Sequence, residues 1–134
     1  MTSVDLSEVG LSKARDLAKK RGVAIQTVQA NLEDHGIDTE SHDLIVSIYC
    51  HLPDAIGRWV HARAEVALRS GGLFILEAFH HPQLKYQSGG PKTSTLLYKL
   101  GHYLITIKCY RYCKHFMIYA STTRVLDTQD SAIS

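Results

Sequence analysis

The residues of this 134-residue chain that could do chemistry are few and well separated. Asp5 lies in "VDLSEVGLSKA", and a carboxylate there could accept two hydrogen bonds, as from a pair of vicinal hydroxyls. Its alternative is to cap a helix that begins near Ser7. Tyr49, Cys50 and His51 follow an apolar run, and of the three only the histidine is a residue type that titrates near neutrality. His51 could therefore move a proton, or simply line a cleft, and Cys50 reads equally as a small buried hydrophobe. His80 and His81 open a polar loop with Pro82 and Gly89-Gly90-Pro91. Cys109, Cys113 and His115, with His102 upstream, are soft donors, but C-x3-C-x-H fits no standard zinc spacing and leaves a fourth ligand unassigned. No metal is expected.

These residues need elements to position them. Val9, Leu11, Ala14, Leu17 and Ala18 fall at helical spacing between Ser7 and Gly22, with Lys19-Lys20-Arg21 in the last turn. Val23 to Ala30 reads as a short strand, and "NLEDHGIDTES" as turns. "HDLIVSIYC" is nearly continuous in apolar residues, the pattern of a central parallel strand covered on both faces. A second helix is expected from Asp54 to about Arg69, with Ile56, Trp59, Val60, Ala64, Ala67 and Leu68 on one side and Gly71-Gly72 as its stop. "LFILEAF" is then another buried strand. "RSGGLF" lacks the Lys-Ser/Thr ending of a phosphate loop and precedes a strand rather than a helix. A further helix could start at Ser94, and the aromatic, β-branched text after His102 reads as strand.

This alternation predicts a doubly wound, mainly parallel α/β sheet whose ligands bind at the strand C-termini. The tips are Asp5, Asn31 with Leu32, Tyr49 to Leu52, and Glu77 to His80. The length suits one domain with a core. Charge is uneven: Ala78 to Leu126 holds no Asp or Glu but carries Lys85, Lys92, Lys99, Lys108, Arg111, Lys114 and Arg124. With no nucleic-acid-binding motif, this reads as a solvated basic face, so no nucleic-acid partner is expected. Three cysteines without a signal peptide ahead of them fit a reduced, cytoplasmic protein, and no run approaches the ~18 apolar residues of a membrane span.

In series, "VDLSEVGLSKA", "QANLED", "HDLIVSIYCHLP" and "LRSGGLFILEAF" resemble the class I S-adenosylmethionine-dependent methyltransferases, closest to their small tellurite-resistance-type branch. The resemblance implies S-adenosyl-L-methionine as cofactor and a small-molecule methyl acceptor. It implies that Asp5 holds the ribose hydroxyls, that Asn31 accepts from the adenine amino group where an Asp is commoner, and that the N–H of Leu32 reaches a ring nitrogen. A turn asparagine is the alternative for Asn31. By the same resemblance Tyr49 lies on the cofactor side, Cys50, His80 and His81 on the substrate side, and His51 is the candidate catalytic base. The loop from His80 to Gly90 would be the substrate lid.

The resemblance also implies a first strand, a first helix and a glycine-rich loop that have no counterpart here. The expectation is thus an incomplete Rossmann-like sheet with unpaired inner edges: a partial methyltransferase domain over residues 1–99 and a divergent basic tail over 100–134. Methyl transfer needs in-line alignment and exclusion of water rather than an obligatory dyad, so the missing loop puts activity, not chemistry, in question. Two alternatives stay open. One is a non-catalytic remnant that binds a protein partner through an open sheet edge, and the other is dinucleotide-dependent oxidoreduction, which also uses an acidic residue after a second strand.

Overall fold

The computed structural model describes residues 1–85, 90–98 and 116–121. Their strands fall into two sheets, within two compact units, Met1–Ile37 and Asp38–Ser134. Every strand pairing among the described residues is parallel, so the chain has a mixed α/β architecture consistent with a partial Rossmann-like methyltransferase fold.

In the first unit, β1 (Thr2–Asp5) and β2 (Gln26–Gln29) pair in register from Thr2↔Gln26 to Asp5↔Gln29, joined by α1 (Glu8–Arg21). Ser7 caps the helix, its hydroxyl accepting from Gly10 N–H at 3.1 Å. Gly22 ends it in the left-handed region at φ 66°, with its N–H on Lys19 O and that of Val23 on Ala18 O. Leu11 and Ala18 are the buried side chains of α1. The second strand is shorter than its β-branched text suggests.

The second unit is a three-stranded sheet in the order β3 (His42–Ile48), β4 (Leu68–Phe79), β5 (Phe116–Ser121), with α2 (Asp54–Ala67) between β3 and β4 in sequence. Ala64, Leu68, Phe74, Leu76, Ala78 and Tyr98 form its core, with Ile45 packed against them. Registered residues of a parallel pair share a face, so Ile45 and Phe74 point to the core. Leu44, Val46 and Ile48, registered with Leu73, Ile75 and Glu77, point to the other face and are about half exposed.

Four expectations change. Among the described residues β3 is an edge of its sheet with one open face, not a central strand covered on both. α2 ends at Ala67, where the chain turns directly into β4, so Gly71-Gly72 is not the helix stop. Gly71 instead sits at φ 79° in an irregular start of β4, and a Cβ on Gly72 would stand 3.3 Å from Asp43 O and 2.9 Å from Arg69 O. The buried stripe of α2 is Gly57, His61, Ala64 and Ala67, while Trp59 is exposed and carries the Arg63 guanidinium 4.5 Å from its ring centre. At Ser94–Leu96 the chain makes a single 3₁₀ turn rather than a longer helix. Most of the region 100–134, including Cys109, Cys113 and His115, lies outside the described residues.

Candidate functional site

At the tip of β1, Asp5 is exposed, and its Oδ1 accepts from Ser7 N–H at 2.8 Å. Ser7, not Asp5, is therefore the residue that caps α1. Asp5 Oδ2 makes no hydrogen bond among the described residues and lies 3.3 Å from where a Cβ on Gly10 would stand. That glycine was not singled out in the sequence, although a glycine in the first turns of a helix costs about 1 kcal/mol relative to alanine and so needs a reason. Here the reason is space beside a carboxylate oxygen.

Past β2, Asn31 is built into a turn. Its Oδ1 accepts from Glu33 N–H at 3.2 Å, its Nδ2 donates to Glu33 Oε2 at 3.0 Å, and its carbonyl accepts from Asp34 and His35. The turn role weighed for this residue is thus present, and one lone pair of Oδ1 is in use. The N–H of Leu32 donates to no described residue.

The tips of β3 and β4 are knit together differently. Tyr49 adopts φ 50°, a left-handed conformation that costs an L-residue about 1–2 kcal/mol. It is pinned there on three sides: its N–H donates to Glu77 O at 2.7 Å, its carbonyl accepts from His51 N–H at 3.0 Å, and its hydroxyl donates to Glu77 Oε1 at 2.7 Å. Its ring stacks on Phe79 with centroids 4.9 Å apart.

His51 is held by both ring nitrogens. Phe79 N–H donates to Nε2 at 3.3 Å, which leaves the proton on Nδ1 to donate to Leu96 O at 2.8 Å. The ring also stacks on Phe79 and meets Tyr98 edge-on. In this arrangement the imidazole is a clamp between the strand tips and the 94–98 segment. Tyr98 closes the same corner: its hydroxyl donates to Cys50 O at 3.0 Å, its N–H to Phe79 O, and its carbonyl accepts from His81 N–H.

Beneath this cluster His61 is buried against Phe74 and Tyr98, its Nε2 3.4 Å from the Tyr98 hydroxyl. Burial lowers its pKa to about 4, so the ring is neutral at pH 7. Nothing in the sequence pattern distinguished it from a surface histidine. The pKa of His80 is lowered by burial and then by the neighbouring charge of His81.

The structure thus brings Tyr49, Cys50, His51, His80 and His81 to one corner of the second unit, and Asp5, Asn31 and Leu32 to the strand tips of the first. Part of the loop expected as a lid, residues 86–89, lies outside the described residues. Among the described residues no group of three or more His, Cys, Asp or Glu could hold a metal ion, and no helix is long and apolar enough to cross a membrane.

Parallel strands joined through helices, with polar groups gathered at their C-terminal tips, define an α/β domain of the Rossmann-like class. Residues 1–72 match the family described as methyltransferase domain, and this chain belongs to that family. Asp5, Asn31, Leu32, Tyr49, Cys50 and His51 lie inside the matched span, whereas Glu77, Phe79, His80 and His81 lie beyond it. None of the curated proteins matches the chain.

Proposed function

We propose that this domain binds S-adenosyl-L-methionine and directs its methyl group to a small acceptor. The observation that carries the reading is the pairing of Asp5 with Gly10, inside the span matched to the methyltransferase family: a carboxylate oxygen left open at a strand tip, beside a helix turn with no Cβ. When bound, the cofactor supplies a methyl group on a sulfonium leaving group. Asp5 Oδ2 would accept from a ribose hydroxyl, while Oδ1 stays with Ser7 and fixes the carboxylate's orientation. Leu32 N–H would donate to an adenine ring nitrogen, and the second lone pair of Asn31 Oδ1 would accept from the exocyclic amine.

Tyr49 belongs to the donor side in this reading, and Cys50, His80 and His81 to the acceptor side. A catalytic role for His51 as a base requires its bond from Phe79 N–H to open, since that bond occupies the lone pair that would take a proton. A thiol, an oxyanion or a metalloid is the acceptor that the tellurite-resistance-type resemblance suggests. A reduced cytoplasmic compartment suits the three cysteines.

The test is a calorimetric titration of the chain with S-adenosylhomocysteine, beside Asp5→Ala. Saturable binding, weakened at least ~tenfold in the variant, supports the reading; tenfold corresponds to ~1.4 kcal/mol, within the range of a hydrogen bond to a charged group. Failure of the wild-type chain to bind overturns it.

A second reading is favoured by one observation. Leu44, Val46 and Ile48 stay half exposed on a strand that is an edge among the described residues and whose charged residue, Asp43, is already paired with Arg69 at 2.9 Å. Such an uncharged edge suits an extended, apolar strand from a protein partner, and the domain would then act as a binding module.

A further inference from the structure

Asp5 and Gln29 are the last registered pair of β1 and β2, and registered residues of a parallel pair share a face, so both side chains leave the same side of the sheet. Ser3 and Thr27 lie two residues back on that side. The α1 helix crosses it: Arg15 donates to Thr27 Oγ1 at 2.9 Å, and Asp5 Oδ2 lies beside Gly10. Asp5 and Gln29 are both exposed at the strand ends. Neighbouring strands run about 4.8 Å apart, so the two side chains start side by side.

The Gln29 amide is held at one end only. Its Nε2 donates to Leu6 O at 3.2 Å. A carbonyl only accepts, so the nitrogen is the end that faces Leu6, and Oε1 is left with no donor among the described residues. Asp5 is held in the same manner, with Oδ1 accepting from Ser7 N–H and Oδ2 left without a donor there. Leu6 and Ser7 are consecutive, so one turn of backbone orients an open carboxylate oxygen and an open amide oxygen together. Asn31, by contrast, uses its side-chain oxygen on Glu33 N–H.

We infer that Gln29 is a second ribose-binding residue, its Oε1 accepting from one of two vicinal hydroxyls while Asp5 Oδ2 accepts from the other. A vicinal diol offers two donors, and acceptors on neighbouring strands meet both without drawing on the Asp5 oxygen that Ser7 occupies. A bond to a neutral amide is weaker than one to a carboxylate. Gln29 therefore sharpens hydroxyl recognition, and Asp5 supplies the larger share of affinity. The inference rests on the reading of this domain as a binder of S-adenosyl-L-methionine, and it adds a residue to which neither the motif resemblance nor the family match gives a role.

The experiment is a calorimetric titration of the full chain with S-adenosylhomocysteine and with its 2′-deoxy and 3′-deoxy forms, for wild type, Gln29→Met and Asp5→Ala. Gln29→Met keeps the length of the side chain and removes its acceptor. It should weaken S-adenosylhomocysteine roughly fivefold, the size of one neutral hydrogen bond. That loss should vanish against whichever deoxy form lacks the hydroxyl that Gln29 holds, and the loss in Asp5→Ala should shrink against the other.

Undiminished binding by Gln29→Met overturns the inference. So does an equal loss for all three ligands, which would make Gln29 a support for the turn at Leu6 and not a ribose contact. In both cases saturable binding of S-adenosylhomocysteine that weakens in Asp5→Ala leaves the cofactor reading standing. Wild-type affinity that stays the same when each hydroxyl is removed in turn overturns the shared grip on the diol with no variant involved. A wild-type chain that binds none of the three ligands overturns the inference and the cofactor reading together.

Discussion

Asp5 and Asn31 of the first unit are held by neighbours two positions away, whereas the candidate residues of the second are held across 28 to 48 positions of chain. Asp5 is fixed by Ser7 and Asn31 by Glu33, all exposed. His51 is fixed by Phe79 and Leu96, and Tyr98 by Cys50. Local turns of the first kind can form as soon as the chain bends. The second kind exists only once the sheet and the 94–98 segment have assembled, so its integrity depends on the core beneath it.

That contrast can be broken first at the core. Leu76 is 1% exposed, and Leu76→Ala should cost about 3 kcal/mol. Urea unfolding followed by circular dichroism reads it, and a loss below ~1 kcal/mol would mean the packing under the strand tips is loose.

Acid comes next. The folded-state pKa of His61, about 4, lies below the ~6.5 of an unfolded histidine. Its contribution to stability is therefore complete above pH 6.5 and lost as the pH falls toward 4. Linkage gives on the order of 2 kcal/mol lost at pH 5 relative to pH 8. Because other groups titrate too, the quantity to measure is the difference between wild type and His61→Phe in urea midpoints at the two pH values; the variant should lack this part of the loss.

His51→Phe keeps a ring against Phe79 but leaves Phe79 N–H and Leu96 O unpaired, a cost of about 1–2 kcal/mol. Hydrogen exchange should quicken at the Phe79 and Tyr98 amides and leave those of α1 unchanged. Ser7→Ala is the smallest of the four, about 1 kcal/mol for a lost helix cap, and should act on α1 and not on the 77–81 amides. If each variant perturbed both sets of amides alike, the distinction between local and long-range support would fail.

The same distinction explains what could be read from the sequence. Ser7 before the helical spacing and Gly22 after it mark α1 because a cap and a left-handed stop are properties of adjacent residues. The parallel α/β class followed from the alternation of elements. The buried stripe of α2 was displaced because His61 takes a core place between Phe74 and Tyr98, both distant in sequence, while Trp59 pairs with Arg63 at the surface. β4 starts earlier than its apolar text because the pairing of His42 with Leu68 recruits residues with no strand signature. The strain at Tyr49 and the pairing of its hydroxyl with Glu77 left no signal, since each depends on a strand 28 residues away.

The proposed nucleoside contacts at the tips of β1 and β2 can be read by amide chemical-shift mapping with S-adenosylhomocysteine. Saturable shifts are expected at Ser7, Gly10 and Leu32, with the affinity they report weakened at least ~tenfold in Asp5→Ala. Saturable binding that leaves those three amides unmoved, or no binding at all, would contradict those contacts.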